Sequence, residues 1–220
     1  GFHLFMVDPD QHLDIARTAD DCGWDSIQVA DSPFFPETIS VPYPYTPDGT
    51  RFWPLDMPVL DPWVAITAMA VVTRRIRFLP SVLRLAVRQP LLEAKSLFSV
   101  AAISNDRVAL GVGLAWMPEE FRWLGVDMKT RGARQDEAIQ VIRLLMQGGM
   151  QEFHGKYFDF DPLIMAPVFS SSWQAPVSPA SSTRLLYGSR TGSYIYWAEA
   201  SCLICSAPLN FCSRISSRSL

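Results

Sequence analysis

The 220-residue sequence contains no Lys/Arg-rich run and carries a formal net charge of -3. It offers no broad basic field to a phosphate backbone, so nucleic acid is not an expected partner. No apolar run approaches the roughly 18 residues needed to span a bilayer. No charged segment precedes an apolar stretch with a small-residue cleavage site either, so no membrane partner is expected and the chain reads as cytoplasmic. Cysteine is scarce: Cys22, Cys202, Cys205 and Cys212 are all there are, and three of them crowd into the last nineteen residues. A disulfide framework is not indicated. Cys202 and Cys205 form a C-x-x-C pair with no second pair or nearby His, and His3, His12 and His154 match no ligand spacing, so no metal site is expected.

What is present suits one large domain of alternating strands and helices. Hydrophobic residues make up 49% of the chain, enough for a core of one large domain. Short apolar runs alternate with stretches of helical period, the pattern of successive strand-helix units. Strands are predicted at Phe2 to Val7, Ser26 to Ala30, Ile76 to Val82 and Val108 to Val112. Helices are predicted from Asp10 to Cys22, from an Asp61 N-cap and Pro62 toward Thr73, from Pro90 toward Asn105-Asp106, and over the stretch that carries Ala138, Val141, Ile142, Leu145 and Met146. Residues 153 to 158 read as a short hairpin. The segment between Asp31 and Leu60 holds Pro33, Pro36, Pro42, Pro44, Pro47, Pro54 and Pro58, which rules out a regular element and makes it a long loop. The long loops follow the second and fourth strands on their carboxyl side, where a (β/α)8 barrel builds its active site.

Three stretches then carry a resemblance. They are Gly23-Trp24-Asp25-Ser26-Ile27-Gln28-Val29-Ala30-Asp31; Ser81-Val82-Leu83-Arg84 leading into Arg88-Gln89-Pro90; and Arg107 through Phe121, followed by Leu124-Gly125, Thr130-Arg131-Gly132 and Tyr157-Phe158-Asp159-Phe160. In order and spacing they resemble the luciferase-like monooxygenases, a family of flavin- or coenzyme F-420-dependent oxidoreductases, over residues 1–169. The resemblance implies an α/β fold, a (β/α)8 TIM barrel of the luciferase-like type. It also implies an oxidoreductase or monooxygenase that moves a hydride between F-420 or FMN and a small organic substrate.

The same resemblance implies a cofactor cleft lined by Asp31, Ser32, Ser81, Val82, Gly113, Leu114, Ala115 and Trp116. Asp31, at a strand exit, is either an acceptor for the ring or its ribityl chain, or an acceptor that orders a loop. Ser32 stands where members that deprotonate an alcohol carry His, and Trp116 stands where some F-420 dehydrogenases carry a glutamate acid. The chain therefore lacks both devices, and no catalytic residue is assigned. Ser81-Val82 matches the family position of a non-proline cis peptide behind the ring. Gly111 and Gly113 would allow close backbone approach, although glycines beside strands also form bulges. Phe34, Phe35, Tyr43, Tyr45, Phe52 and Trp53 could cover an apolar substrate, contact a second copy in a homodimer, or order their own loop. Glu119, Glu120 and Arg131 are read as surface ion-pair formers without a catalytic role.

From about Ser170 the composition changes. Residues 170–220 hold fourteen Ser and four Arg but one Glu and no Asp or Lys, against fifteen basic and twenty-one acidic residues in 1–169. This Ser-rich tail is expected to be no native continuation of the barrel domain, as after a shifted reading frame. With Gly1 inside the first strand, a barrel incomplete at both ends is expected. The alternative function is a catalytically inactive remnant of such an enzyme. A metal-dependent barrel hydrolase would need His/Asp ligands at successive strand ends, where only Asp31 is so placed.

Overall fold

The computed structural model describes residues 1–168, together with the backbone of two short paired strands, β6 (Leu186–Tyr187) and β7 (Tyr194–Ile195). The remainder of the Ser-rich tail and its three cysteines lie outside the described residues.

Strand and helix alternate as the apolar pattern demands: β1 (Phe2–Leu4), α1 (His12–Asp21), β2 (Ser26–Val29), α2 (Pro62–Val71), β3 (Arg77–Pro80) and α3 (Pro90–Ser104). The three strands pair in parallel in the order β1-β2-β3, with Ile27 opposite Phe2 on one side and Phe78 on the other. Ile27, Phe78, Ile66, Met69, Phe98 and Leu83 are fully buried between the sheet and the helices. Both predicted helix starts are present. Asp61 accepts from Trp63 N (2.9 Å) and Val64 N (3.3 Å), and Gln89 caps α3 by accepting from Leu91 N (2.6 Å), each followed by a Pro that needs no partner. Asn105 closes α3 in the left-handed region at φ 55°, a conformation its short polar side chain tolerates.

Three polar anchors, of which Asp20 is buried, set the strands against the helices. Asp20, at the end of α1, accepts from Arg74 N (2.8 Å), Arg75 N (2.9 Å) and Ile76 N (2.7 Å), which fixes the entry to β3. These bonds hold its carboxyl below the usual range against the upward push of burial. The Arg107 guanidinium donates to Ala70 O (2.7 Å), Ile76 O (3.0 Å) and Thr73 Oγ1 (2.9 Å), joining α2 to β3. Beyond them, α4 (Pro118–Trp123) and α5 (Arg131–Leu145) complete the helical layer. Glu137 of α5 accepts from Tyr157 N (2.7 Å) and Phe158 N (2.8 Å) and so holds the turn of a hairpin, β4 (Met150–His154) with β5 (Asp159–Ile164).

Several expected boundaries change. The first strand stops at Leu4 because Met6 sits at φ 61°, which ends the extended run well short of Val7. The hairpin is longer than residues 153 to 158, which form mainly its inner rungs and turn. The expected fourth strand makes two parallel bridges, Phe78 to Val108 and Leu83 to Val112, rather than a continuous ladder. Five steps of chain on one side face four on the other, so one residue is accommodated as a bulge. The described residues therefore form a three-strand parallel sheet extended by a bridged fourth segment, not a closed eight-stranded barrel.

Candidate functional site

The carboxyl ends of β1, β2, β3 and the 108–112 segment open on one side of the sheet, and a cleft of about 330 Å3 lies there. It is lined by His3 within β1 and Phe5 just beyond it, Ala30 to Ser32 beyond β2, Ser81, Val82 and Arg84 beyond β3, and Gly113 to Met117 beyond the fourth segment. All eight residues expected to face a cofactor line this one cleft. Its remaining wall comes from the long loop, through Phe35, Tyr43, Tyr45, Phe52 and Trp53.

That wall is a packed aromatic cluster. Tyr43 meets Trp53 at 4.9 Å between ring centroids and Trp116 at 5.2 Å, while Phe52 and Phe5 meet Trp53 at 4.9 and 5.7 Å, all edge to face. Contacts of this kind add about 0.5 to 1.5 kcal/mol each beyond their buried area. They account for an ordered loop with no regular structure. Pro33 and Phe34 lie farther out, where Phe34 packs on Trp123 of α4.

The base of the cleft is fixed by charge. Asp31 accepts from Arg84 N (2.8 Å) through Oδ2 and from the Arg88 guanidinium (2.7 Å) through Oδ1. Arg88 also donates to Glu93 Oε1 (3.0 Å), whose other oxygen accepts from Trp63 Nε1 (2.7 Å). Both Asp31 oxygens are thus engaged in ordering the Ser81–Arg88 segment, which is the loop-ordering role among those expected. The Ser81-Val82 peptide is cis, as the resemblance implied, and His3 Nε2 donates to the Ser81 carbonyl oxygen (3.1 Å).

The glycines have a structural purpose. A Cβ on Gly111 would collide with the Pro80 carbonyl oxygen, and one on Gly113 with the Val82 side chain. Their close approach is to the bulged β3 exit, so their absence of side chain seats the bulge and thereby the cleft floor. Ala115, next in the turn, is held at φ 57°, where an L-residue is strained.

Glu119 and Glu120 correct the surface reading given to them. Both are buried, Glu120 completely, because α4 turns its first residues inward under the long loop. Glu119 accepts from Ser40 N (3.1 Å) and ties that loop down. Glu120 lies 3.1 Å from Arg84 Nε. Burial pushes its carboxyl up to about 7, against the opposing pull of Arg84, with Asp31 and Glu119 adding to the rise. Arg131 donates to Met128 O (2.9 Å) and pairs with neither glutamate.

Three cleft residues carry a buried polar atom without a hydrogen-bond partner: Ser32 Oγ, Trp53 Nε1 and Arg84 Nη1. A hydroxyl, an indole N–H and a guanidinium N–H are donors in search of acceptors. An apolar slot with such donors fits a flat heteroaromatic ring with carbonyl oxygens along one edge. Sequence reasoning missed Arg84, His3 and Phe5. The latter two fall inside the predicted first strand, so a rule that looks past strand ends passes over them.

Comparison with known proteins bears on this geometry. The family model for luciferase-like monooxygenases matches residues 5–184. An uncharacterized protein of Mycobacterium tuberculosis is 38% identical over 162 residues, 74% of this chain and 56% of its own length, so the chain spans about half the length of the curated relatives it matches. Among solved structures, a monooxygenase from Streptomyces bottropensis aligns with TM-score 0.63 at 25% identity, covering 77% of this chain and 49% of that one. An F-420-dependent secondary alcohol dehydrogenase in complex with an F-420-acetone adduct aligns at 0.60 and 19% identity, covering 76% and 47%. The oxygenating constituent of 3,6-diketocamphane monooxygenase from a Pseudomonas putida plasmid, in complex with FMN, aligns at 0.55 and 20%, covering 69% and 37%.

Proposed function

Because the chain belongs to the luciferase-like monooxygenase family, we propose that its strand-end cleft holds the ring of FMN or coenzyme F-420 and presents it to a small organic substrate, in an oxidoreductase or monooxygenase reaction. The observation that carries this reading is the convergence of Asp31, Ser32, Ser81, Val82 and the Gly113 to Trp116 turn on one apolar cleft with unpartnered donors. When bound, the ring would supply hydride or electron transfer, which no side chain here can supply.

The chain's own residues have separable tasks. The Ser81-Val82 peptide and the Gly113 to Trp116 turn are the backbone segments that would hold the ring. Ser32 Oγ, unpartnered in the cleft, would supply a hydrogen-bond donor to it. Asp31 is a positioning residue that sets Ser81–Arg88 through Arg84 N–H and the Arg88 guanidinium. The aromatic wall of Tyr43, Phe52, Trp53 and Trp116 excludes water and packs against an apolar substrate. The strands fit the opening portion of a luciferase-type barrel, which supports the same reading, and the fold's solved neighbours with FMN and F-420 are consistent with either cofactor.

Titration of FMN and of F-420 with the purified chain, followed by cofactor fluorescence, tests the proposal. Saturable one-to-one binding of at least one cofactor is expected, and no binding of either overturns it. A second reading, a chain that holds the ring without turnover, is favoured by a cleft whose only carboxylate among the described residues, Asp31, is already engaged and which has Ser32 and Trp116 where an acid or base could stand. Oxidation of the reduced cofactor faster than in free solution excludes that second reading.

A further inference from the structure

Among the described residues Arg84 is the one guanidinium that lines the cleft, whose wall is mostly aromatic and aliphatic, and its Nη1 has no hydrogen-bond partner. A buried guanidinium atom in this state costs free energy until an acceptor reaches it. Two of the three carboxylates near it are engaged elsewhere. Asp31 is matched by Arg88 at 2.7 Å and receives only the backbone N–H of Arg84. Glu119 is turned to Ser40 N. Glu120, 3.1 Å from Nε, is the direct counter-group, and its carboxyl is half protonated near neutral pH. Arg84 and Tyr43 of the aromatic wall line the same cleft. Tyr43 in turn packs on Trp53, whose indole N–H is the second unpartnered donor.

Resting on the cleft assignment above, we propose that Arg84, with Trp53 Nε1 as a second unpartnered donor of the same cleft, anchors a carboxylate of the substrate against the aromatic wall. The cleft would then select aromatic or otherwise apolar carboxylic acids over neutral molecules of the same shape. Arginine suits this task because its planar fork meets a carboxylate with two parallel donors, and the low-polarity wall strengthens the pair. Glu120 tunes the anchor. Once ionised it neutralises Arg84, so carboxylate affinity falls as pH rises through about 7. The groups that act on Glu120 are Arg84 from the β3 exit, Asp31 from the β2 exit, Arg88 ahead of α3 and Glu119 on its own helix.

The test compares 2-naphthoate with the neutral 2-naphthylmethanol by quenching of tryptophan fluorescence, without cofactor. At pH 6.5 the carboxylate is expected to bind at least about tenfold tighter, the value of one charge-assisted hydrogen bond. Arg84→Gln reduces the preference to within about twofold, and Arg84→Lys retains part of it. Glu120→Gln keeps the full preference from pH 6 to 8, where the parent loses it, so a misfolded Arg84 variant still leaves a decisive arm. Equal affinity for the two probes in the parent, failure of naphthoate to bind, or a preference that survives Arg84→Gln overturns the proposal. FMN titrated on the same samples separates the two readings. Loss of FMN affinity in Arg84→Gln with the naphthoate preference intact would assign the arginine to the ring and also overturn it, whereas a naphthoate preference without any FMN or F-420 binding sinks only the cofactor assignment.

Discussion

Removing the charge of Glu120 gives a stability change whose size and pH dependence follow from its burial. In the folded chain its carboxyl titrates at about 7, against an ordinary 4.5. Between those values the folded state binds the proton more tightly than the unfolded state, so this group makes stability fall as pH rises. Its penalty is absent below about 4.5 and fully present above about 7. Two and a half pH units at 1.36 kcal/mol each set a ceiling of roughly 3 kcal/mol, reduced by any relaxation that lets water reach the carboxylate. Glu120→Gln keeps the shape and never ionises. Urea unfolding followed by tryptophan fluorescence at pH 5, 6, 7 and 8 should show the parent losing ground to the variant by about 2 to 3 kcal/mol over that range. Comparing the two proteins cancels titrations they share. A difference that stays constant from pH 5 to 8 would refute the buried, proton-holding description of this residue.

Other substitutions probe the frame around the cleft. Arg88→Ala leaves Asp31 and Glu93 buried without their shared cation and is expected to cost about 3 kcal/mol in urea unfolding, with Arg88→Lys restoring little because an ammonium lacks the fork that reaches both carboxylates. Asp20→Ala strands three backbone N–H groups at the start of β3 and should cost about 3 kcal/mol; a loss below 1 kcal/mol would mean that water replaces the carboxylate. In the parent the Asp20 contribution is present above the ordinary carboxylate range and disappears as pH falls through its lowered value. Ala115→Gly relieves the positive φ of the cleft turn and should raise stability by up to about 1 kcal/mol in thermal unfolding; destabilisation would show that the alanine methyl matters more than the strain.

The order of strands and helices was legible because a period of two or of 3.6 and paired Asp-Pro or Gln-Pro helix starts are local signals. Asp61 and Gln89 show this directly. Cleft residues were legible through the resemblance and through the rule that loops after strand ends carry the site. Burial of Glu119 and Glu120 was not, since Pro-Glu-Glu reads locally as an exposed first helical turn. The long loop, through Ser40 on Glu119, and Arg84 beside Glu120 cover it. The roles of Gly111 and Gly113 were visible as freedom of backbone but not as the seat of a bulge. That depends on a five-against-four mismatch between segments thirty residues apart.

Amide hydrogen exchange with and without saturating FMN or F-420 tests the central claim most directly. The account predicts that peptides covering residues 30–32, 81–84 and 113–117 gain protection together, while α5 and the β4-β5 hairpin exchange as before. Protection confined to α5 or the hairpin, or no change anywhere at saturation, would contradict it.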